Sequence, residues 1–509
     1  MSTERQTQLT RAASVVMAAF VLSRVLGLGR EMIIGNQFGT TRELDAYLAA
    51  FRIPDLIFQL IAGGALGSAF IPTFTACLAR GREREAWDLA SSIMNLVLAI
   101  LTASAFLAAL LAPWLVRYIV PGFDSHDQAL TAQLMRWMLI SPVVFGLSGV
   151  TMAILNSYQH FLLPALAPAV YNLSIIGGAL LLAPSFGIYG LVIGVIVGSL
   201  LHLAIQIPQL VRQGVAYRPV IEVSHPGVRE VGRLMLPRML GLATVQVNFL
   251  VNTLLASRLA EGSLAALNYA WIIMLLPHGV FAMGIATAAF PTFSDLAARG
   301  DEAELRTSVS ESLMLILFLS IPSALALILL REPLTQVLLQ RGRFDLSSVQ
   351  TVAWALQFYA LGLVAHSALE IVARAFYSLH DTRTPVAIGA GAMALNIVLS
   401  LLLVGPLLHG GLALANSLAT IVETIVLVLL LRSRLGGIRR GPLLRSMART
   451  TVAATSMGLV VVLVASLARG TPVVVQVGCA VLSGSMVFLL VSMALGSGEL
   501  RALRNVLRR

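Results

Sequence analysis

The chain has 509 residues, of which 58% are hydrophobic and only 12% charged. A soluble globular protein is about half apolar and about a quarter charged, so these values exclude a cytosolic enzyme, a disordered chain and a nucleic-acid-binding domain. The net charge is +11, and because the sequence contains no lysine, all 35 basic residues are arginine. A P-loop places a lysine on the phosphates of its nucleotide, so this chain has no ATP site of that kind.

Apolar segments long enough to cross a membrane follow one another along the chain. A helix crosses the hydrocarbon core, which is about 30 Å thick, with about 20 residues. About 14 such segments predict an all-α polytopic membrane protein. The predicted spans are 14–36, 44–79, 87–117, 129–156, 163–183, 186–211, 228–259, 264–297, 308–330, 349–379, 383–403, 409–432, 443–468 and 472–496.

The second and eighth predicted spans are too long for one straight membrane helix. Each of them contains two prolines, and a proline inside a helix removes a backbone hydrogen bond and kinks or breaks the helix. We therefore expect bends or hinges at Pro54 and Pro72 in the second span and at Pro277 and Pro291 in the eighth.

The arginines are concentrated on one predicted side of the membrane. The connection 432–449 and the tail after residue 500 are rich in arginine, whereas the loops on the other side contain few. Cytoplasmic loops of membrane proteins carry the excess of basic residues, so both termini are expected in the cytoplasm. The net charge then indicates contact with anionic lipid headgroups and no nucleic-acid partner.

An internal repeat divides the predicted spans into two lobes. Residues 70–81 (FIPTFTACLARG) recur as 289–300 (AFPTFSDLAARG), and three further matches in the same order have nearly the same offset. The offset covers six spans, an even number, so the two halves point the same way across the membrane, as in transporters with the substrate path between parallel halves. We expect a first lobe at 1–211, a second at 212–432, and two additional helices with a basic tail at 433–509.

Arginines within the predicted spans indicate an anion site. A charge at the bilayer centre costs about 2.5–3.5 kcal/mol, so such residues are expected to face a wet cavity or one another. Arg24 lies in the middle of the first span and Arg30 lies nearer its outer end, where it could instead pair with a neighbouring acid. Arg238, at the position of the repeat that corresponds to Arg24, is expected to face it across the lobe interface. Guanidinium groups bind phosphate oxygens in a bidentate manner, which suits a phosphate-bearing cargo.

Two further charged residues are candidates for the cavity wall. Asp45 opens the second span, where it fits either a helix N-cap or a carboxylate that balances Arg24 and Arg30 or takes a coupling cation. Arg52 lies three residues before Asp55 on one helix face, a spacing that also fits a simple ion pair.

The sequence shows no motif for nucleophilic, hydrolytic or metal chemistry. Cys77 and Cys479 lie far apart in apolar surroundings, and His202, His278 and His366 have no companions at ligand spacing. We therefore expect no metal, no cofactor and no enzymatic activity. Polar residues such as Asn172 and Gln246 are expected to join helices by hydrogen bonds.

The start of the chain contains a distinctive series of motifs, namely residues 23–31 (SRVLGLGRE), Phe38 with Gly39, Asp45 with Ala46, and 51–54 (FRIP). In these motifs it resembles the MurJ (MviN) family of lipid II flippases. The resemblance continues to near the end of the chain, with matches at 121–123 (PGF), 153–156 (AILN), 164–168 (PALAP), 252–253 (NT), 376–378 (FYS), 384–385 (TP) and 405–406 (GP).

The resemblance implies a multidrug/oligosaccharidyl-lipid/polysaccharide (MOP) exporter fold and transport of a lipid-linked peptidoglycan precursor. It implies two six-helix lobes around a central cavity, with two extra helices that form a groove for the lipid tail. Undecaprenyl-pyrophosphate-linked cargo, lipid II, would move from the inner to the outer leaflet of the bacterial inner membrane by alternating access. Arg24, Arg30 and Asp45 carry over as cavity residues. Coupling to the membrane potential or a monovalent cation, and contact with the cell-wall synthesis machinery, are also expected.

The chain departs from the family pattern at several charged positions. Phe58, Gln59 and Gly63 stand where the family commonly has arginines and an acid, and Trp271 with Ile272 replaces an Asp-Arg pair. Arg238 is not typical of the family and could compensate. Two other transport functions therefore fit the residues, namely a flippase for another lipid-linked saccharide and a cation-coupled multidrug exporter. A membrane glycosyltransferase fits poorly, because the outer connections are too short for a catalytic domain.

Overall fold

The computed structural model describes residues 3–63, 65–437 and 440–500, without the side chains of 3–15, 65, 237, 238, 240, 241, 244 and 440. Within these ranges all regular structure is helical and there is no strand, as predicted. The chain forms two compact units, Met1–Glu261 with Arg341–Arg343, and Gly262–Gln340 with Phe344–Arg509. The lobe boundaries at 211/212 and 432/433, which were drawn from the repeat, stay a prediction.

The first unit contains thirteen α-helices among the described residues. A π-helical turn, Gly178–Leu182, joins α9 to α10. The helices are α1 (Thr3–Phe38), α2 (Arg42–Ala50), α3 (Arg52–Ile61), α4 (Ala65–Ala79), α5 (Glu83–Leu110), α6 (Ala112–Ile119), α7 (Ser125–Met138), α8 (Ile140–Ser157), α9 (Leu162–Gly177), α10 (Ala183–Phe186), α11 (Tyr189–Ala204), α12 (Ile207–Arg212) and α13 (Pro226–Ser257).

The second unit contains nine α-helices in its described part. A π-helical turn, His278–Ala282, joins α14 to α15. The helices are α14 (Ser263–Pro277), α15 (Met283–Ala298), α16 (Glu302–Leu329), α17 (Arg331–Leu339), α18 (Leu346–Ser378), α19 (Arg383–Leu407), α20 (His409–Arg434), α21 (Arg440–Leu467) and α22 (Val473–Ala494).

The lengths of the helices confirm a polytopic membrane protein. Twelve helical stretches in the described residues are long and apolar enough to cross a membrane. The remaining two predicted spans, the first and the seventh, fall on α1 and α13, which have 36 and 32 residues. Helices α21 and α22 pack on α16 through a core that includes Phe318, Met457 and Phe488.

The helices of the two units match in length as the repeat predicts. α5 and α16 both have 28 residues, and the stretches Ser125–Ser157 and Leu346–Ser378 both have 33. Leu162–Phe186 and Arg383–Leu407 both have 25. The turns match as well, since Gly187 and Leu408 have φ of 56° and 53° and precede corresponding helices.

The long second and eighth spans are interrupted, but not at every proline. The second is divided at Phe51 and after Ile61, at Ala62 and Gly63, and the eighth at the π-helical turn that follows Pro277. Pro72 lies inside α4 and Pro291 inside α15, and both helices continue through them. Backbone N–H and C=O groups that leave a helix inside lipid find no water to bond with. A membrane helix therefore tends to continue on both sides of a proline. Hinge motion at Pro54, Pro72, Pro277 and Pro291 stays a prediction.

The connection between α12 and α13 is bound to the side of α5. We call residues 217–222 the strap. Asn95 of α5 donates from Nδ2 to the carbonyl oxygens of Arg218 and Val220, at 3.1 and 2.9 Å. Ser91 and Ser92 accept the backbone N–H groups of Arg218 and Glu222. Polar residues of α5 thus satisfy the backbone of a segment that has no regular secondary structure.

Candidate functional site

Arg24 lies on an exposed face of α1. Its apolar neighbours on this face, Met17, Phe20 and Val21, are also exposed. The guanidinium has no ion pair or hydrogen bond within the described part of the chain. An arginine in the middle of an apolar helix, left without a protein partner, is suited to bind an anionic group from outside the unit.

Arg30, in contrast, is held between α1 and α9. Its Nη2 lies 2.5 Å from Oε1 of Glu31, and its Nη1 donates to Oδ1 of Asn172 at 3.1 Å. The amide of Asn172 also donates to the carbonyl oxygen of Ser23 at 3.1 Å. This is the pairing with a neighbouring acid that the sequence left open for Arg30. Asn172 joins two helices by hydrogen bonds, as expected.

Asp45 is 1% exposed and lies in the first turn of α2. Thr41 is the N-cap of this helix, and the backbone N–H of Arg42 donates to Oε1 of Glu261 at 2.7 Å. Nη1 of Arg42 lies 3.7 Å from Oδ2 of Asp45, and its Nε lies 3.6 Å from Oδ2 of Asp127. Asp45 is therefore not an N-cap, and its ion pair is with Arg42.

Arg52 and Asp55 both bond to α13. Nε of Arg52 donates to Oγ1 of Thr253 at 2.8 Å, and its guanidinium lies 5.3 Å from the centre of the Phe249 ring. Oδ2 of Asp55 accepts a hydrogen bond from Gln246 at 3.3 Å. Arg52 of the FRIP motif and Asp55, which follows it, thus connect the second span to the seventh, in agreement with the helix-joining role expected of Gln246.

The predicted site residues do not form one bonded cluster. Arg30 and Asp45 have different partners, and Arg24 contacts neither of them. Arg238 lies on α13, but its side chain is outside the described residues. Arg42 was not among the predicted site residues, although its spacing of three from Asp45 could have revealed the pair.

The second unit has an aromatic and imidazole cluster where the family pattern is broken. The Trp271 ring centre lies 5.5 Å from that of His366, and the His278 ring centre lies 6.4 Å from it. His366 shares a hydrogen bond with Asn416 at 3.2 Å. On the same helix, Arg374 and Glu370 form an ion pair at 2.7 Å.

One group of side chains in the described residues has the spacing of metal ligands. Asp124, His126 and Asp127 bring ligand atoms within 4.8 Å of one another near the start of α7. Asp124 already caps this helix by accepting the N–H of Asp127 at 2.8 Å, and Asp127 pairs with Arg42. The two carboxylates are thus accounted for by a helix cap and an ion pair.

Comparison with known proteins identifies the family. The family model described as lipid II flippase MurJ matches residues 34–480. The lipid II flippase MurJ of Burkholderia cenocepacia is 32% identical over 438 residues, which are 84% of each chain. The chain belongs to the lipid II flippase MurJ family. A probable MurJ of Vibrio cholerae is 30% identical and covers 82% of each chain.

Solved structures of the MurJ and MATE transporters have the same fold. A lipid II flippase MurJ in an inward closed conformation matches with a TM-score of 0.81 and 25% identity, over 94% of this chain and 97% of that one. An inward-facing multidrug resistance MATE transporter of the MOP superfamily matches with a TM-score of 0.71 and 16% identity, over 83% and 98%. The all-helical fold of the MurJ and MATE transporters, which was expected from the sequence, is confirmed.

Proposed function

We propose that this protein moves lipid II, or a closely similar pyrophosphate-linked saccharide, between the leaflets of the bacterial inner membrane. The observation that carries the proposal is the match to the MurJ family over residues 34–480. The exposed guanidinium of Arg24 on an apolar helix supports it, because the cargo's pyrophosphate is the part that lipid excludes.

In this proposal Arg24 binds the pyrophosphate and Arg30 positions helix α1. All the N–H donors of the Arg24 guanidinium are available to phosphate oxygens, whereas the Arg30 guanidinium already donates hydrogen bonds to Glu31 and Asn172. Arg238 is proposed as a further cation for the same anion. The polyprenyl tail stays in lipid beside α21 and α22.

The proposed orientation places both termini in the cytoplasm, because the arginine-rich connections then lie inside. Anionic lipids contact these connections, and proteins of cell-wall synthesis receive the cargo on the other side. The transport cycle returns with help from the membrane potential or a monovalent cation. One charge crossing 100 mV supplies about 2.3 kcal/mol, enough to bias a two-state equilibrium nearly fiftyfold.

The test is transport of fluorescent lipid II in proteoliposomes, with Arg24→Gln compared with wild type. Loss of the guanidinium is expected to reduce transport at least tenfold while reconstitution stays normal. Arg24→Lys keeps the charge but loses the planar fork, so partial activity is expected. Arg258→Gln serves as the control, because Arg258 lies at the C-terminal end of α13 and is exposed.

Two results would contradict this assignment. Normal transport by Arg24→Gln would remove Arg24 from the site, and absence of lipid II transport by the wild type would overturn the function. A valinomycin-imposed potassium potential and a sodium gradient, applied separately to wild-type vesicles, test the coupling. Insensitivity of transport to both would contradict the coupling proposal.

A further inference from the structure

A groove on the first unit is lined by the outward faces of membrane helices. It lies between α5 and the pair α7 and α8 and has a volume of about 350 Å³. Thr102, Phe106 and Ala109 line it from α5, and Ile140 and Val143 line it from α8. Phe106 and Ile140 are exposed, so this apolar groove is open to the surrounding acyl chains.

Arg136 forms one end of the groove. Its Nε donates to the carbonyl oxygen of Ala109 at 3.0 Å, which fixes the guanidinium beside the end of α5. The side chain is exposed, and in the described part of the chain it has no carboxylate partner. A full positive charge therefore lies beside an apolar groove, with its remaining N–H donors available to an external anion.

Exposed aromatic residues show the depth of Arg136 in the membrane. Trp114 and Tyr118 on α6 are 57% and 59% exposed, and Trp137, next to Arg136, is 56% exposed. Tryptophan and tyrosine are enriched at the boundary between headgroups and hydrocarbon. Arg136 thus lies at headgroup level. The groove runs from Ala109 toward Thr102, which is about 10 Å along the axis of α5.

We propose that this groove is a binding site for a glycerophospholipid with a net negative headgroup. One acyl chain lies in the groove, and the lipid phosphate accepts hydrogen bonds from Arg136. The guanidinium favours an anionic headgroup, because a zwitterionic lipid carries its own cation and gains less from an unneutralised positive charge. The site is separate from the residues proposed for flipping and does not depend on that function.

The test measures lipid binding to the purified full chain by native mass spectrometry. Phosphatidylglycerol and phosphatidylcholine with the same acyl chains are added separately. Wild type is expected to bind phosphatidylglycerol about tenfold more tightly, which corresponds to about 1.4 kcal/mol. Arg136→Gln should remove this preference, and Arg136→Lys should keep part of it. Val143→Trp fills the groove and should weaken binding of both lipids.

Matched controls come from a helix that lines the groove and from the corresponding place in the second unit. Leu107→Trp places the same side chain at an exposed position of α5 outside the groove. Arg331→Gln removes a guanidinium that binds the carbonyl oxygen of Ile328 at 2.9 Å, the counterpart of Ala109 in the repeat. Leu107→Trp should leave the binding of both lipids unchanged, and Arg331→Gln should leave the preference for phosphatidylglycerol unchanged. A melting curve for Arg136→Gln checks that the loss is not due to unfolding.

The proposal is overturned if Arg136→Gln keeps the preference for phosphatidylglycerol while it remains folded. It is also overturned if Arg331→Gln reduces the preference as much, because the effect would then be one of general charge. Equal effects of Val143→Trp and Leu107→Trp would show that the acyl chain does not occupy the groove.

Discussion

The two units have matching helices but different polar chemistry. α5 and α16 have the same length, and so do the stretches that contain α8 and α18. In the first unit the second span has buried or half-buried charges, such as Asp45 and Arg52. In the second unit the corresponding stretch has Trp271 and His278, which pack against His366. Helix length and turn geometry are thus alike in the two halves, while the charged, polar and aromatic side chains at corresponding positions differ.

Pairs of residues related by the repeat show the same contrast. Asp381 and Arg434 form an ion pair at 2.7 Å in the second unit. At the corresponding positions of the first unit, His160 and Gln213 share a hydrogen bond at 2.9 Å. Each pair ties the start of one helix to the end of another. The same two helix ends are therefore held together in both units, by an ion pair in the second and by a hydrogen bond in the first.

The largest expected effect is the loss of stability when the arginine of an ion pair within a helix is replaced by leucine. Arg30→Leu leaves Glu31, which is only 8% exposed, without its cation. An uncompensated buried charge costs about 3–5 kcal/mol. Arg374→Leu in the second unit should cost less than about 1 kcal/mol, because the Glu370 side chain is 31% exposed. Thermal unfolding in detergent measures both.

The double variant Arg30→Leu with Glu31→Leu is the control for this prediction. It removes both charges and should regain most of the lost stability. Equal losses for Arg30→Leu and Arg374→Leu would contradict the contrast between the two units.

Close helix packing should depend on a glycine at corresponding positions of the two units, Gly190 and Gly411. A Cβ at Gly190 would lie 2.4 Å from the backbone nitrogen of Ala183, and one at Gly411 would lie 2.1 Å from the carbonyl oxygen of Leu403. Because backbone atoms cannot rotate away, Gly190→Ala and Gly411→Ala should each cost about 3 kcal/mol. Gly391→Ala, where nothing lies within 4 Å, is the control and should be neutral or stabilising. Folded yield and melting temperature are the measurements, and tolerance of alanine at Gly190 and Gly411 would refute the shared packing.

A matched turn has a glycine in one unit and a leucine in the other. Gly187 has φ 56° and ψ −137°, and Leu408 has φ 53° and ψ −134°. Side-chain-bearing residues in such a region cost about 1–3 kcal/mol. Leu408→Gly should therefore raise the melting temperature, and Gly187→Leu should lower it. Changes of the same sign in the two variants would mean that this turn is not strained in the second unit.

The smallest expected effect is a pH dependence in the second unit. Hydrogen bonds from Thr384, together with the nearby Arg434, lower the pKa of Asp381 below its ordinary value of 3.8. The stabilisation is present above that value and is lost as the pH falls through the lowered pKa. Asp381→Asn should cost about 0.5–1 kcal/mol at pH 7, with the difference from wild type shrinking toward pH 3. Unfolding is measured along the pH series, and Arg434→Gln should reproduce the loss at pH 7. A difference that does not depend on pH would contradict this cause.

The spans were predictable from sequence because lipid imposes them. A membrane segment must satisfy its backbone internally, so hydropathy alone fixes where the helices lie. The interruptions were less predictable. The chain turns at Gly63, where the N–H groups of Ala62 and Gly63 both bond to the carbonyl oxygen of Phe58, and not at Pro72. A Cβ at Gly63 would lie 2.6 Å from the carbonyl oxygen of Gln59. The spacing of residues along the sequence does not reveal such a close approach.

The candidate site was predictable in its residue types but not in its partners. The sequence singled out Arg24, Arg30, Asp45 and Arg52 because charges are costly within apolar spans. Which partner each one has depends on helices distant in the chain, as with Arg52 and Thr253. Only adjacent or one-turn pairs, such as Arg30 with Glu31, could be read from spacing.

The strap has a consequence for how the chain can be handled experimentally. Although it lies between two helices and has no regular structure of its own, the amide protons of Arg218 and Glu222 are bound by the hydroxyls of Ser91 and Ser92. The connection 213–225 is therefore a poor place to insert a protease site or a fluorescent domain, because an insertion would expose backbone groups that α5 now satisfies. Tags are better accommodated at turns without such bonds, so labelling schemes for this transporter should leave the contact between α5 and the strap intact.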